Sequence, residues 1–294
     1  MAQSIAVVVT SFNQGLTIRE AVFSVLAQSL SPDDLVVVDD GSTDPESLDV
    51  LGKLEADGVR VLRQSNRGVS AARNAGIGSV ETDLVAVLDG DDRFQPRFLA
   101  TMAPEFSDDD VVAASSWLSM FGTATGIVRP TGGRVADFLA RNSCPAPAMF
   151  RRQLWEQVGG YAEDLREGFE DWDFFLRLLT RGGRIHIVPE PLIEYRTQAG
   201  SANLEGMTRR LRLYGEIIDR HATVFASNVR SALLAQEAIS IDRLARWEEL
   251  LLGDRSLNPG EATFGDGGMA ALVRIATART QVAEGNKKPR YEEI

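Results

Sequence analysis

Three aspartates occur immediately after an apolar run at residues 84–88. Asp89, Asp91 and Asp92 follow this run, and Gly90 between them lets the backbone turn closely. Three carboxylates this near one another repel, and a hard divalent cation relieves the repulsion. Mg2+ or Mn2+, held by one or two carboxylates and by the phosphates of a ligand, fits this chemistry. The alternative is a solvated acidic turn that also caps the next helix.

A second acidic pair, Asp39 and Asp40, follows the apolar run at residues 35–38. A carboxylate at the end of a strand can accept a hydrogen bond from a base N–H or from a ribose hydroxyl. The alternative is a strand-to-helix turn, in which Thr43 and Glu46 form a capping box for the helix that follows. The residues alone leave both interpretations open.

Two arginines occur in the segment 66–77, which is rich in glycine and alanine. Arg67 and Arg73 could neutralise phosphate, because a guanidinium donates two parallel hydrogen bonds to such oxygens. The alternative, which the small residues favour, is a helix packed tightly on a sheet with both arginines on its surface.

Acidic and aromatic residues share the segment 169–178. Glu170 and Asp171 at the start of a helix would be stabilised by the helix dipole alone. A carboxylate that faces a partly dry cleft is also a plausible general base. Trp172 could offer its flat face to a sugar ring, or it could belong to the core.

Alternating strands and helices would bring these motifs together. The predicted strands of the first hundred residues cover residues 5–9, 35–38, 59–62 and 84–88, with helical patterns between them. Near-continuous apolar strands separated by helices indicate an α/β fold with a mostly parallel sheet covered on both faces. Ligands bind beyond the carboxyl ends of the strands in such a sheet, so the polar loops should converge on one cleft.

The pattern changes after residue 203. Residues 207–225, 229–252 and 270–282 are helical in pattern, which predicts a domain at 1–203 and a helical region at 204–294. The helical region carries a broad apolar face made of Ile239, Leu244, Trp247, Leu250 and Leu251. We expect this face to pack on the preceding domain or on a second copy in a homodimer, with contact to a membrane surface as the minor option.

The composition excludes some classes of protein. A net charge of −11 argues against a nucleic-acid binder, which needs a basic surface to displace counterions. A single cysteine, Cys144, excludes an internal disulfide. The first residues lead straight into a short apolar run, and no run reaches the ~20 residues of a membrane helix. We therefore expect a cytoplasmic chain without a transmembrane segment, with at most peripheral membrane contact.

In order and spacing, the motifs resemble those of the family 2 glycosyltransferases. The segments concerned are Val-Val-Val-Thr-Ser-Phe-Asn, Val-Val-Val-Asp-Asp-Gly-Ser-Thr-Asp, Asn-Arg-Gly-Val-Ser-Ala-Ala-Arg-Asn-Ala-Gly, Val-Leu-Asp-Gly-Asp-Asp and Glu-Asp-Trp-Asp-Phe-Phe-Leu-Arg-Leu. They cover about residues 4–201 and do not reach the helical region. The resemblance implies a GT-A fold and an inverting, metal-dependent transfer of a sugar from a UDP- or dTDP-sugar. The acceptor would be a hydroxyl of a saccharide or of a lipid-linked molecule.

The resemblance also assigns roles to single residues. Phe12 would stack on the base, Asp40 would accept from its imino N–H, and Asp171 would be the general base with Glu170 as its acidic neighbour. Trp172 would contact the acceptor, and Asp91 with Asp89 would hold Mn2+ or Mg2+. The implied donor site consists of Thr10, Phe12, Asn13, Asp39, Asp40, Gly68, Arg73, Asp89 and Gly90.

The chain departs from the family pattern in one motif. Relatives often have Tyr-Arg-x-His, in which the histidine helps to hold the metal, whereas Gln198 stands at that position here. Metal binding would then be weaker, or completed by water and diphosphate. Two other functions stay open: a sugar nucleotidylyltransferase, although residues 10–15 lack the basic residues typical of its first loop, and a non-catalytic binding or scaffold protein of the same fold.

Overall fold

The computed structural model describes residues 3–198, 206–252 and 263–283. In these residues, nine strands form one mixed sheet in the order β3-β2-β1-β4-β8-β6-β9-β5, with β7 paired to β6. The strands are β1 Ile5–Ser11, β2 Asp34–Asp39, β3 Arg60–Arg63, β4 Leu84–Asp89, β5 Arg93–Phe94, β6 Val111–Gly122, β7 Gly126–Val128, β8 Met149–Arg151 and β9 Arg184–Thr197.

Helices cover both faces of this sheet and continue beyond it. They are α1 Ile18–Leu26, α2 Pro45–Ala56, α3 Val69–Gly78, α4 Phe98–Met102, α5 Arg152–Gln157, α6 Glu170–Leu179, α7 Arg210–Arg220, α8 Ala222–Ser227, α9 Val229–Leu252 and α10 Gly268–Ala283. Short 3-10 helices occur at Ala103–Ser107 and Val135–Phe138. The predicted α/β fold with a helical C-terminal region is confirmed.

The parallel half of the sheet sets the positions of the motifs. Strand β1 is buried along its whole length, and it pairs in parallel with β2 on one side and β4 on the other. The register places Thr10 opposite Asp89 and Ser11 opposite Asp39. The polar ends of three buried strands therefore meet at one edge, as the apolar runs predict.

Helix α3 packs closely on this half of the sheet. A Cβ atom on Gly76 would lie 2.3 Å from Cγ1 of Val8, so only glycine allows this approach. The same approach buries Arg73, which retains 2% exposure. The predicted tight packing of the small-residue helix is confirmed, and the accompanying prediction of a surface arginine is wrong for Arg73.

The start of α2 differs from the predicted capping box. Asp44 is the residue that precedes the helix, and its carboxylate accepts from the backbone N–H of Ser47 at 3.0 Å. Thr43 and Glu46 therefore do not form the box. Pro45 still occupies the first turn, where its missing N–H needs no partner.

The C-terminal helices do not bury the predicted apolar face. Leu244, Trp247 and Leu251 on α9 are each more than half exposed, so the expectation that this face packs on the preceding domain is wrong for them. The predicted boundary near residue 203 lies outside the described residues. Within the part of the chain that the structure describes, no helix is both long and apolar enough to span a bilayer.

Candidate active site

A cleft with a volume of about 660 Å³ opens at the carboxyl edge of the parallel strands. It brings together most of the residues that the sequence singles out, from five separate motifs. These lining residues are Thr10, Phe12, Asp40, Gly68, Arg73, Asp89, Asp91, Glu170 and Asp171.

Three residues predicted for the donor site, Asn13, Asp39 and Gly90, are not among those that line the cleft. Oδ1 of Asn13 accepts from the backbone N–H of Thr43 at 2.8 Å, and Oδ1 of Asp39 accepts from the N–H of Ser42 at 2.9 Å. A Cβ atom on Gly90 would lie 2.8 Å from the carbonyl oxygen of Thr10. These contacts shape the loops beside the cleft, and direct contact of the three residues with a nucleotide stays a prediction.

Asp40 lines the cleft and also holds the neighbouring loop. Its Oδ1 accepts from Nε2 of Gln64 at 2.7 Å and from the N–H of Arg67 at 2.9 Å. Its Oδ2 accepts from the N–H of Gly68 at 2.8 Å, where the backbone turns with a φ of +92°. A carboxylate has about four acceptor positions, so one remains for a ligand.

The aromatic side chain of Phe12 is exposed at the cleft. Its ring is 44% exposed at the end of a strand that is otherwise buried. An exposed ring on a rigid strand end can stack on a planar base at low entropic cost. This placement agrees with the role that the family resemblance implies.

Arg73 connects two motifs across the cleft wall. Its Nη1 lies 2.9 Å from Oε1 of Glu170, and its Nη2 lies 2.8 Å from Oδ1 of Asp89. Despite burial, the two carboxylates raise the pKa of Arg73, so the guanidinium is charged at every accessible pH. Arg73 is therefore a buried bridge between the acidic loop after β4 and the start of α6. Arg73 also lines the cleft, and its contact with phosphate stays a prediction.

The acidic loop after β4 is crowded with negative charge. Burial, then the charge of Asp89, raises the pKa of Asp91 to about 6, and burial with both neighbours raises the pKa of Asp92 well above its usual range. Asp92 faces inward, where its Oδ1 accepts from the N–H of Arg196 at 2.8 Å. Asp89 and Asp91 are the half-buried members, and both line the cleft.

The residues present fit a divalent cation bound mainly by Asp91. In the described residues, no three acidic, histidine or cysteine side chains form a complete ligand set. Mg2+ and Mn2+ do not need one, because they bind through one or two carboxylates with substrate phosphates and water. A cation beside Asp91 and Asp89 would relieve the repulsion that, after burial, raises the pKa of Asp91. The carboxylates of Asp91 and Asp89 are therefore suited to a metal ion that binds together with a phosphorylated ligand.

The last strand brings two polar side chains to the same loop. Nε2 of Gln198 lies 3.5 Å from Oδ2 of Asp91, so the residue that replaces the family histidine does reach the acidic loop. Arg196 pairs with Glu20 at 2.7 Å and donates to the carbonyl oxygen of Asp91 at 2.9 Å. Arg196 therefore forms an ion pair with an acid next to the acidic loop.

Asp171 lies in the cleft at the first turn of α6. Its Oδ1 accepts from the N–H of Trp172 at 2.7 Å, and its Oδ2 accepts from Nδ2 of Asn142 at 2.9 Å. Burial, followed by the charge of Glu170, raises the pKa of Asp171 to about 7. A carboxyl group with this pKa can take up a proton near neutral pH, as a general base must.

Trp172 cannot serve as a platform for a sugar. Its side chain is fully buried, and Nε1 donates to the carbonyl oxygen of Phe138 at 2.7 Å. One ring face stacks on Tyr214 at 5.2 Å between centroids. Of the two alternatives for Trp172, the core position is therefore correct and the acceptor contact is wrong.

Two groups of lining residues carry no motif in the sequence. Asn142, which contacts Asp171, lies in a segment that matches no recognised pattern. The C-terminal region supplies the other group, which consists of Gly206, Met207, Arg209, Arg210, Phe264, Gly265, Gly267, Met269 and Ala270. A Cβ atom on Gly265 would lie 1.9 Å from the carbonyl oxygen of Asn142, so the two groups touch. The C-terminal helical region thus completes the cleft. The helical pattern of its sequence could not indicate this.

With this geometry established, comparison with known proteins identifies the family. The model of glycosyl transferase family 2 matches residues 6–159, and the model of glycosyltransferase-like family 2 matches residues 99–229. The first match covers more than half of the chain. The chain therefore belongs to glycosyl transferase family 2.

Curated relatives agree with the family but are longer. An uncharacterised glycosyltransferase of Nostoc is 36% identical over 119 residues, which are 40% of this chain and 37% of that protein. The succinoglycan biosynthesis protein ExoU of Rhizobium meliloti is 30% identical over 63% of this chain and 59% of its own length. In both cases the chain spans less than two thirds of its relative.

Solved structures share the fold. The chain superimposes on S. aureus TarS, determined with UDP-GlcNAc, with a TM-score of 0.59, 18% identity and coverage of 78% of this chain and 72% of that one. The mannosyltransferase PcManGT of Pyrobaculum calidifontis, determined with GDP-Man and Mn2+, gives a TM-score of 0.55, 17% identity and coverage of 96% and 81%. The fold is thus GT-A, as the resemblance implies.

Proposed function

We propose that this chain transfers a sugar from a nucleotide-diphosphate donor to an acceptor hydroxyl, with inversion at the anomeric carbon. The observation that carries the proposal is the bridge formed by Arg73. It fixes Asp89 of the cation-binding loop and Glu170, the neighbour of Asp171, to one guanidinium. A donor held at the loop after β4 would thereby face a base with a raised pKa.

Asp171 is the base in this proposal. The acceptor hydroxyl gives its proton to Asp171 while its oxygen attacks the anomeric carbon. The bond from that carbon to the diphosphate oxygen breaks on the opposite face, which inverts the configuration. Mn2+ or Mg2+ held by Asp91 with Asp89 would stabilise the negative charge of the departing diphosphate when bound.

Phe12, Thr10 and Asp40 would hold the nucleoside. The exposed ring of Phe12 stacks on the base, and the remaining acceptor position of Asp40 suits an imino N–H of uracil or thymine. A UDP- or dTDP-sugar is the donor that follows. The UDP-GlcNAc complex of TarS supports a nucleotide-sugar donor, and ExoU supports polysaccharide biosynthesis as the setting.

We also propose that residues 1–203 form the catalytic domain and that residues 204–294 complete its cleft. The exposed apolar side chains of α9 support a homodimer through the C-terminal helices, or peripheral contact with a membrane. Sedimentation of the full chain and of Trp247→Glu tests the dimer. Equal monomer fractions in both proteins would exclude it.

A thermal-shift experiment tests the donor class. UDP, dTDP, GDP and ADP are added to the chain with and without Mn2+, and a ligand that binds the folded chain raises its Tm by mass action. The proposal expects UDP or dTDP to raise the Tm only with the metal. Equal shifts for all four nucleotides, or none, would contradict it.

A further inference from the structure

The C-terminal region brings arginines to a cleft whose sheet edge is acidic. Arg209 and Arg210 stand at the start of α7 and line the cleft, as does Arg166 from the loop before α6. The loop after β4 supplies Asp89 and Asp91, where the proposed function puts the diphosphate and its cation. Arg209 pairs with Glu167, another residue that lines the cleft, at 3.1 Å.

Stacking fixes the guanidinium of Arg210. Its Cζ lies 5.7 Å from the ring centre of Phe169 and 6.0 Å from that of Trp172. Nη1 lies 3.9 Å from the sulfur of Met207, which is a weak acceptor. In the described residues, no carboxylate forms an ion pair with Arg210. The aromatic rings hold the guanidinium, and its N–H groups stay available.

Asp266 compensates the charge of Arg210 only in part, because its carboxylate bonds to other residues. Oδ1 of Asp266 accepts from Oγ1 of Thr263 at 2.6 Å and from the N–H of Gly268 at 3.1 Å, and Oδ2 lies 3.4 Å from Nη2 of Arg243. Burial lowers the pKa of Arg210, and the charge of Asp266 offsets this only in part. A half-buried guanidinium without a direct anionic partner is unfavourable until a ligand supplies one.

We propose that Arg210 binds a phosphate group of the acceptor. This inference rests on the proposed function. In the proposed function the donor diphosphate would have a cation at Asp91 and Asp89, whereas Arg210 stacks on Trp172, the residue next to Asp171. A guanidinium donates two parallel hydrogen bonds to phosphate, which would orient the acceptor beside the base. The acceptor class is therefore a phosphorylated saccharide, a polyol phosphate or a lipid-linked phosphate.

Calorimetry with a minimal phosphate probe tests this subsite. Glycerol 3-phosphate, and glycerol as the uncharged probe, are titrated into the full chain saturated with UDP and Mg2+. The variants are Arg210→Gln and Arg212→Gln, because Arg212→Gln removes the same charge from the same helix at a residue that pairs with Glu216 and Glu167 and does not itself line the cleft. We expect glycerol 3-phosphate to bind, about tenfold more weakly in Arg210→Gln and within about twofold of normal in Arg212→Gln. Glycerol should not bind.

Three results would overturn the inference. They are no binding of glycerol 3-phosphate to the unaltered chain, equal binding to Arg210→Gln, or a tenfold loss of UDP affinity in Arg210→Gln, which would assign Arg210 to the donor. If UDP fails to bind the unaltered chain, the proposed function fails instead. Titration of the nucleotide-free chain then still decides whether Arg210 binds phosphate.

Discussion

Asn142 donates a hydrogen bond from Nδ2 to Oδ2 of Asp171 over 2.9 Å. Asn142 is itself fixed, because its Oδ1 accepts from the N–H of Cys144 at 3.2 Å and its carbonyl oxygen lies against Gly265. The orientation of the proposed base thus depends on a residue outside every recognised motif, and on a contact with the C-terminal region.

Replacement of Asn142 should move the pH dependence of turnover. A hydrogen bond to a carboxylate favours its charged form, so Asn142→Ala raises the pKa of Asp171. Loss of a hydrogen bond to a charged group costs ~1.5–3 kcal/mol, which corresponds to a shift of about one unit or more in the acidic limb of kcat/KM. The rate of UDP-sugar hydrolysis from pH 5.5 to 9 measures it. Asn228→Ala, at the turn between α8 and α9 and outside the cleft, is the control. An acidic limb that does not move in Asn142→Ala would argue against a positioning role for Asn142.

The unaltered chain should lose activity below neutral pH. Asp171 must be deprotonated to accept a proton, and burial raises its pKa to about 7. Turnover should therefore rise with pH through about 7 and level off above it. The profile is measured at saturating Mn2+, so that titration of Asp91 does not limit metal binding. A rate that is constant from pH 5.5 to 8 would exclude Asp171 as the base with this pKa.

Loss of the Arg73 bridge should lower the stability of the folded chain. Arg73→Met leaves Asp89 and Glu170 without their shared cation, and breaking a buried ion pair costs ~3–5 kcal/mol. The exposed pair of Arg67 with Glu163 is the matched control, and Arg67→Met should change the unfolding free energy by less than ~1 kcal/mol. Urea unfolding measures both variants. Equal losses of unfolding free energy in the two variants would show that the buried bridge stabilises the fold no more than the exposed ion pair does.

Two aromatic residues with opposite surroundings should respond in opposite ways. Phe12→Ala removes an exposed ring, so we expect weaker UDP binding and a change in stability within about 0.5 kcal/mol. Trp172→Ala removes a fully buried ring and should cost ~3–5 kcal/mol of unfolding free energy. Calorimetry with UDP and urea unfolding separate the effects. Unchanged UDP affinity in Phe12→Ala would refute the stacking role.

The strand ends were predictable because apolar runs and parallel pairing depend on local sequence. Thr10, Asp89 and Asp91 follow such runs, so their meeting at one edge follows from register alone. Arg73 and Trp172 were not placed correctly, since their positions depend on how closely α3 and α6 approach the sheet. At Gly76, for example, α3 can lie close to the sheet only because glycine has no side chain.

The rest of the site depends on contacts distant in sequence. Asn142 and Asp171 are 29 residues apart, and Arg210 reaches the cleft from the helical region. Neither residue has neighbours that would distinguish it from an ordinary surface position. Helical periodicity identifies α7 and α10 but does not reveal that their first turns line a cleft.

The most direct test of the account compares binding with turnover in Asp171→Asn. UDP release from UDP-glucose and UDP-GlcNAc is measured with Mn2+ for this variant and the unaltered chain, and UDP affinity is measured in parallel. A general base contributes ~10²–10⁴-fold, so we predict a loss of that size with UDP affinity within about twofold of normal. Turnover of Asp171→Asn at the rate of the unaltered chain would contradict the assignment of Asp171 as the base.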